Sequence, residues 1–187
     1  MTKKRILLVV GHNEVQRGEF SPTLNNQEWV YWHNIAMQVW DYFSNKAGKY
    51  EVNVAIRNYK QSYTKEMKEV VFDINNSPVP YDYVFELHFN GVSDKSVNGA
   101  ECLVFHKSSS HEIAKRFLNK LHSEFGIKNR GLKYVKSSSE RGGYGICKSK
   151  APYILLEPFF GTNEKDSEKF KDDYKIIQFF IDFIEEL

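Results

Sequence analysis

"RILLVVGH", residues 5–12, decides how the rest of the chain is read. Ile6 to Val10 is apolar without alternation, the pattern of a strand covered on both faces rather than one half-open to water. Strands of that kind belong to sheets with helices packed on either side. The run stops on Gly11 and His12, and an imidazole is an odd terminator for a buried strand. Gly11 reads as the residue that lets the chain turn sharply, aiming His12 into a cleft rather than the core. In open α/β sheets, reactive groups collect where strands end and loops begin.

Strand-like and helix-like stretches alternate along the remaining chain. "NNQEWVYWHNIAMQVWDYF" (25–43) predicts a helix whose buried stripe is Trp29, Trp32, Ile35, Ala36, Val39, Trp40 and Phe43. Asn25 and Glu28 at its start form a variant capping box. "YEVNVAIR" (50–57) alternates as a half-buried strand does, and Thr64 opens a short helix over 64–75. Strands are predicted over 81–90 and 100–105. A helix follows, with Ser109 and Glu112 in capping-box spacing and Gly126 as its stop. The glycine-bearing stretch 136–150 reads as a loop facing substrate, with no strand feeding it and no helix following. A last apolar strand spans 151–160. The closing helix, about 165–186, carries Phe170, Tyr174, Ile177, Ile181 and Ile184 on one stripe. The whole predicts a single α/β domain over 1–187. Its sheet is mixed but mostly parallel and twisted, of about six strands, with helices on both faces.

Composition narrows the function. Apolar residues make up 41% of the 187 and aromatics 15%, enough for a folded core. A formal charge of only +2 gives no electrostatic footprint for nucleic acid. The basic start, "MTKKRILLVVGH", has too short an apolar run for a signal peptide, and no stretch has the length of a transmembrane segment. The reading is therefore a monomeric chain made in the cytoplasm, with no second module. Cys102 and Cys147 have no metal-ligand spacing and read as two small buried side chains.

Four residues sit where a core would not choose them. His12 ends the first strand, His88 lies in "YVFELHF", Glu157 ends "YILLE", and Glu28 falls in the first turn of the first long helix. Each has an ordinary explanation: a hydrogen-bonded strand-end histidine, a rim histidine, a first-turn carboxylate. Glu157 is the hardest to explain so, because a carboxylate between apolar runs is costly to bury unless paired or metal-bound. Two imidazoles and a carboxylate form a set suited to zinc with one position left for water, and a nearby carboxylate would take that water's proton. The spacing is loose, with fifteen residues between His12 and Glu28 and fifty-nine between Glu28 and His88. Glu14 and Glu19 are rival carboxylates, neither at a predicted helix start. His33, His106, His111 and His122 read as ordinary surface histidines. Glu86 shares a strand face with His88, and a structural role suits it best.

Taken in order, these segments resemble the zinc-dependent N-acetylmuramoyl-L-alanine amidases known as type 3. "LLVVGHNE" resembles the family's strand ending in Gly-His. The helix 25–43 resembles the one opening on a glutamate ligand, and "FELHFNG" the strand with the second histidine and a following asparagine. "NGAECLVF" is similar to the next strand, "GIKNRGLK" to the Arg-Gly segment, and "APYILLEPFFGTNEKD" to the strand with the catalytic glutamate and its Asn-x-x-Asp tail. The resemblance implies His12, Glu28 and His88 as ligands of one zinc ion and Glu157 as general acid/base; Asn90 and Arg130 in its matched segments, and Tyr144 in the loop 136–150, are expected on the substrate side. It implies hydrolysis of the amide between muramic acid and L-alanine in peptidoglycan, in a wall-remodelling enzyme or a phage lysin. Asn13-Glu14 stands where the family has a second glycine, and Pro158 where a small residue is usual. A zinc carboxypeptidase-like hydrolase is the rival enzyme, although such enzymes place the first His and Glu only a few residues apart. A non-catalytic wall-binding module is the third reading, one expected to have lost Glu157 or a ligand.

Overall fold

A computed structural model of the chain describes residues 3–187, so Met1 and Thr2 of the basic start lie outside the described residues. In chain order the elements are β1 (Lys4–Val10), β2 (Phe20–Ser21), β3 (Asn26–Gln27), α1 (Glu28–Ser44), β4 (Tyr50–Ala55), α2 (Tyr63–Asn75), β5 (Tyr83–Leu87), β6 (Ala100–Phe105), α3 (His111–Phe125), β7 (Asn129–Val135), α4 (Gly143–Lys148), β8 (Tyr153–Glu157), α5 (Glu164–Glu168) and α6 (Asp173–Glu185). Six strands form one sheet in the order β4-β1-β5-β8-β6-β7. All neighbours run parallel except β6 and β8. β2 and β3 make a separate two-stranded hairpin before α1.

The unbroken apolar runs are explained by layers on both faces. Ile6, Leu8 and Val10 point to one side with Phe85 and Leu87, where α1, α3 and α6 supply Trp32, Ile35, Phe117, Phe180 and Phe183. Leu7 and Val9 point to the other side, against Met67, Val70 and Ile74 of α2 and Ile146 of α4. Central strands sandwiched in this way have no solvent face and need no alternation. Among the described residues no helix is long and apolar enough to cross a membrane.

Several predicted boundaries move, each for a local reason. α1 begins at Glu28 rather than after Asn25, because Asn25 takes a left-handed φ of 50° and Asn26–Gln27 pairs with Phe20–Ser21. Tyr31 is buried on its stripe, while Trp40 is 37% exposed. α2 is capped by Ser62 instead of Thr64, the serine accepting from the Lys65 amide. Ser110, without a side-chain cap bond, precedes α3, so the Ser109–Glu112 box does not form. Gly126 does end α3 in the left-handed conformation. The closing helix is two helices. Asn163 caps α5 and Asp172 caps α6, leaving Phe170 buried in the break and Tyr174 76% exposed.

β7 and α4 were absent from the sequence reading. β7 is an edge strand of mostly half-exposed polar residues, so it lacks an apolar rhythm. α4 is a short helix rich in glycine, a poor helix former. The stretch 136–150 is thus fed by a strand and contains a helix. Of the cysteines, Cys102 is buried and Cys147 only half-buried.

Phe117 shows where the core's stability is concentrated. It is fully buried, with the rings of Phe179, Phe180 and Phe183 at 5.6, 5.9 and 5.2 Å. Phe117→Ala should cost roughly 3–5 kcal/mol in denaturant unfolding. A loss below about 1 kcal/mol would show that this layer collapses freely around the gap.

Candidate active site

Three adjacent parallel strands deliver the site. Val10 of β1 pairs with Leu87 of β5, and Leu87 pairs with Leu156 of β8. His12, His88 and Glu157 therefore emerge side by side at the carboxyl edge of the sheet. The position is also a topological switch point. β1 connects to β4 through α1 on one face, and β4 connects back to β5 through α2 on the other, which opens a crevice between β1 and β5.

Glu28 closes the group from above. The first-turn amides of α1 are satisfied by loop carbonyls, Glu28 N–H donating to Glu19 O at 2.9 Å and Trp29 N–H to Arg17 O at 2.9 Å. The Glu28 side chain has no capping work left and turns to the imidazoles. Its Oε2 lies 3.0 Å from His12 Nε2 and its Oε1 2.8 Å from His88 Nδ1. The amides of Phe89 and Glu19 donate to the same two oxygens at 3.0 and 3.2 Å. Ligand atoms of His12, Glu28 and His88 all lie within 4.8 Å of one another, a group able to hold a metal ion. Glu14 and Glu19 are not members of it.

Two glycines make the packing possible. A Cβ on Gly11 would sit 2.3 Å from Leu87 O and 2.6 Å from His88 Cε1. The sharp turn belongs to His12 itself, with φ 63°, and not to Gly11. Gly11 is required for close approach. Gly18, with φ +77°, plays the same part on the far side, where a Cβ would meet Glu28 Oε2 and the His12 ring at 2.6 Å. A non-glycine residue in the left-handed region is strained and persists only when its surroundings fix it. Arg57 does so: its Nε donates to His12 O at 2.9 Å, and the guanidinium is 5% exposed.

A polar layer lies behind the triangle. His88 Nε2 is 3.0 Å from Glu86 Oε1, and Glu86 also accepts from the Tyr153 hydroxyl at 2.9 Å and from Arg57 Nη1 at 3.4 Å. Glu86 thereby sets the orientation of the second imidazole. Asn13 replaces the family's usual glycine with a working side chain. It donates to both oxygens of Glu66 at 3.1 Å and accepts from the amides of Val15 and Gln16. Sequence reading missed Arg57, which looked like the frayed end of a strand, and did not single out Arg141 within the loop 136–150 that it read as facing substrate.

Glu157 is 1% exposed, and its Oε2 has no hydrogen-bond partner among the described residues. Oε1 is paired with Arg141 Nη2, which also donates to Asn90 Oδ1 at 2.8 Å. Burial pushes the Glu157 carboxyl up to about 8. In the triangle the opposite holds. Burial alone would raise Glu28 and lower His88, but their mutual hydrogen bonds, with His12 and Glu86 adding, hold Glu28 down and push His88 up. Both shifts favour a proton held between carboxylate and imidazole, and the same three side chains could instead hold a metal ion.

Of the remaining predicted residues, Asn90 is buried and donates to Glu101 Oε1 at 3.3 Å. Arg130 donates to Glu101 Oε2 at 2.9 Å and lies over the Phe160 ring. Tyr144 packs against the second core layer. These three stand behind or beside a cleft of about 570 Å³, whose lining includes His12, Glu28, His88, Arg141 and Glu157. The Asn-x-x-Asp tail braces a loop: Asp166 accepts from Gly99 N–H at 2.7 Å, and Asn163 donates to Lys95 O at 2.8 Å. His106, His111 and His122 each bond a backbone carbonyl, and His33 stacks on Trp29.

Fold and site together define an α/β domain with a His-Glu-His cation group and a lone buried carboxyl at its sheet edge. The sequence model of the family described as N-acetylmuramoyl-L-alanine amidase matches residues 6–184, and the chain belongs to that family. It is 30% identical over 93 residues to the N-acetylmuramoyl-L-alanine amidase LytC of Bacillus subtilis, covering 48% of this chain but 18% of that protein's length. The catalytic domain of an endolysin targeting Clostridia Difficile superposes with a TM-score of 0.76 at 25% identity, over 98% of this chain and 97% of that one. The CwlD amidase of Clostridioides difficile, solved with the GerS lipoprotein, superposes with a TM-score of 0.79 at 19% identity, over 98% of each chain.

Cation uptake should displace the trapped proton. His88, pushed up to about 10, carries a proton on Nδ1 at neutral pH, and a metal ligand there must be neutral while Nε2–H stays on Glu86. Calorimetry of zinc binding at pH 7 in buffers of different ionisation enthalpy should show release of about one proton or more per ion. The release should fade as pH rises through the folded value. No release at pH 7 would contradict this protonation state.

Proposed function

We propose that the chain is a zinc-dependent N-acetylmuramoyl-L-alanine amidase. On this reading it hydrolyses the amide between N-acetylmuramic acid and the L-alanine of the peptidoglycan stem. His12, Glu28 and His88 would hold one zinc ion, Glu157 would be the acid/base, and the domain over 1–187 would be the catalytic unit. The observation that carries the reading is Glu157: a buried carboxyl with one oxygen anchored and the other unpartnered, lining the same cleft as the triangle. Zinc, when bound, supplies a Lewis acid that polarises a carbonyl and acidifies water.

The protein's own groups do the rest. Arg141 and Asn90 fix one side of Glu157, so Oε2 is the atom that accepts the proton of the attacking water. Burial raises the basicity of that oxygen, which suits a group that must hold the proton and then deliver it to the departing amine. Glu86 holds the His88 imidazole and Arg57 the backbone turn at His12, so the cleft meets its substrate preorganised. Likeness to an endolysin catalytic domain supports a lysin as one setting for this activity.

Purified sacculi test the proposal. Digestion should expose new L-alanine amino termini without new reducing ends or released terminal residues, and a chelator should stop it. Glu157→Gln should stay folded and zinc-loaded while the rate falls at least about a hundredfold. His88→Ala should lose most of its zinc. Released C-terminal residues would make the protein a peptidase. Zinc lost from Glu157→Gln would make Glu157 a ligand, and full activity in that variant would place the base elsewhere.

A further inference from the structure

The donors that Arg141 leaves open into the cleft have no role in the chemistry described so far. Four carboxylates line it, Glu19, Glu28, Glu140 and Glu157, against one permanent cation, Arg141. Glu28 is spent on the imidazoles, and Glu140 is turned back on its own loop, accepting from the amides of Lys136 and Ser137. Arg141 stands at the mouth, its side chain 61% exposed while the partner Glu157 is 2% exposed. Only Nη2 of its guanidinium is engaged, on Glu157 Oε1 and Asn90 Oδ1. Nε and Nη1 have no partner among the described residues. Two neighbours thus hold the guanidinium in place and leave its other donors open to whatever enters the cleft.

We propose that Arg141 is a specificity-determining residue whose free donors bind a carboxylate that the substrate carries close to the scissile amide. Planar guanidinium donors suit carboxylate, and such bonds are stronger than those to a neutral amide. Resting on the amidase reading, the inference names the group concerned. The second stem residue, glutamate linked through its side chain, bears an α-carboxyl that occurs either free or amidated. A free α-carboxylate is the anion that Arg141 selects, and amidation removes the charge it reads.

The test compares acid and amide on one protein. Wild type should cleave muropeptides bearing the free α-carboxylate with kcat/KM about tenfold or more above that for the α-amidated form. In Arg141→Gln that ratio should fall to within about twofold of unity, since the charge-assisted contact is gone. Loss of the Glu157 partner slows both substrates alike and cancels in the ratio, so a merely structural role would not move it. Calorimetric binding of L-alanyl-glutamate blocked as its γ-methylamide, with the α-carboxyl free or amidated, to the zinc-loaded protein makes the same comparison without turnover. A preference in binding without any cleavage would overturn the amidase reading and leave this one standing. Equal binding and equal kcat/KM in wild type, or a preference that survives Arg141→Gln, would overturn the role of Arg141.

Discussion

A single buried carboxylate organises this protein. Glu28 sits 2% exposed between two imidazoles and accepts two backbone amides besides. A charge so placed is tolerable only because every direction around it offers a donor. Those donors come from three separate segments, the end of β1, the loop to α1 and the end of β5, and converge on the first residue of α1. Satisfying one carboxylate therefore fixes where the first crossover helix begins and how far two central strands run. The glycines on either side follow from it, since a side chain at Gly11 or Gly18 would strike the imidazoles or the carboxylate.

Glu28 and Glu157 are two buried carboxyls of opposite character within one site. Both are buried carboxyls at the same sheet edge, yet their environments push them apart. Glu28 is held ionised by hydrogen bonds to two imidazoles, whereas Glu157 has one exposed guanidinium and an unpartnered oxygen, and burial wins. Opposed shifts in neighbouring acids are what a site needs to hold a cation with one group and move protons with another. Behind them, Glu86, Tyr153 and Arg57 form a buried polar group in which Glu86 fixes the His88 ring and Arg57 fixes the backbone of His12.

Much of this was legible in the sequence, for physical reasons that differ by element. The central strands were readable because burial on both faces leaves an unbroken apolar run, as in Ile6–Val10 and Tyr153–Leu156. His12, Glu28, His88 and Glu157 stood out as ionisable residues at the ends of such elements. β7 was invisible because an edge strand answers to solvent and carries no apolar rhythm. The capping role offered for Glu28 failed because carbonyls of Arg17 and Glu19, distant in pattern though near in space, take over the helix amides. Arg57 and Arg141 are long cations in ordinary polar surroundings, and only the tertiary fold shows one buried under His12 and the other laid over Glu157.

The central claim is that His12, Glu28 and His88 together hold one cation in place of the proton shared by Glu28 and His88. Anomalous diffraction at the zinc edge from crystals grown with zinc measures this directly. The account predicts a single strong peak bonded to His12 Nε2, the Glu28 carboxylate and His88 Nδ1 at roughly 2.0–2.2 Å, with His88 Nε2 still on Glu86. A peak on the Glu86 side of His88, or no peak with the Glu28–His88 hydrogen bond intact, would contradict it.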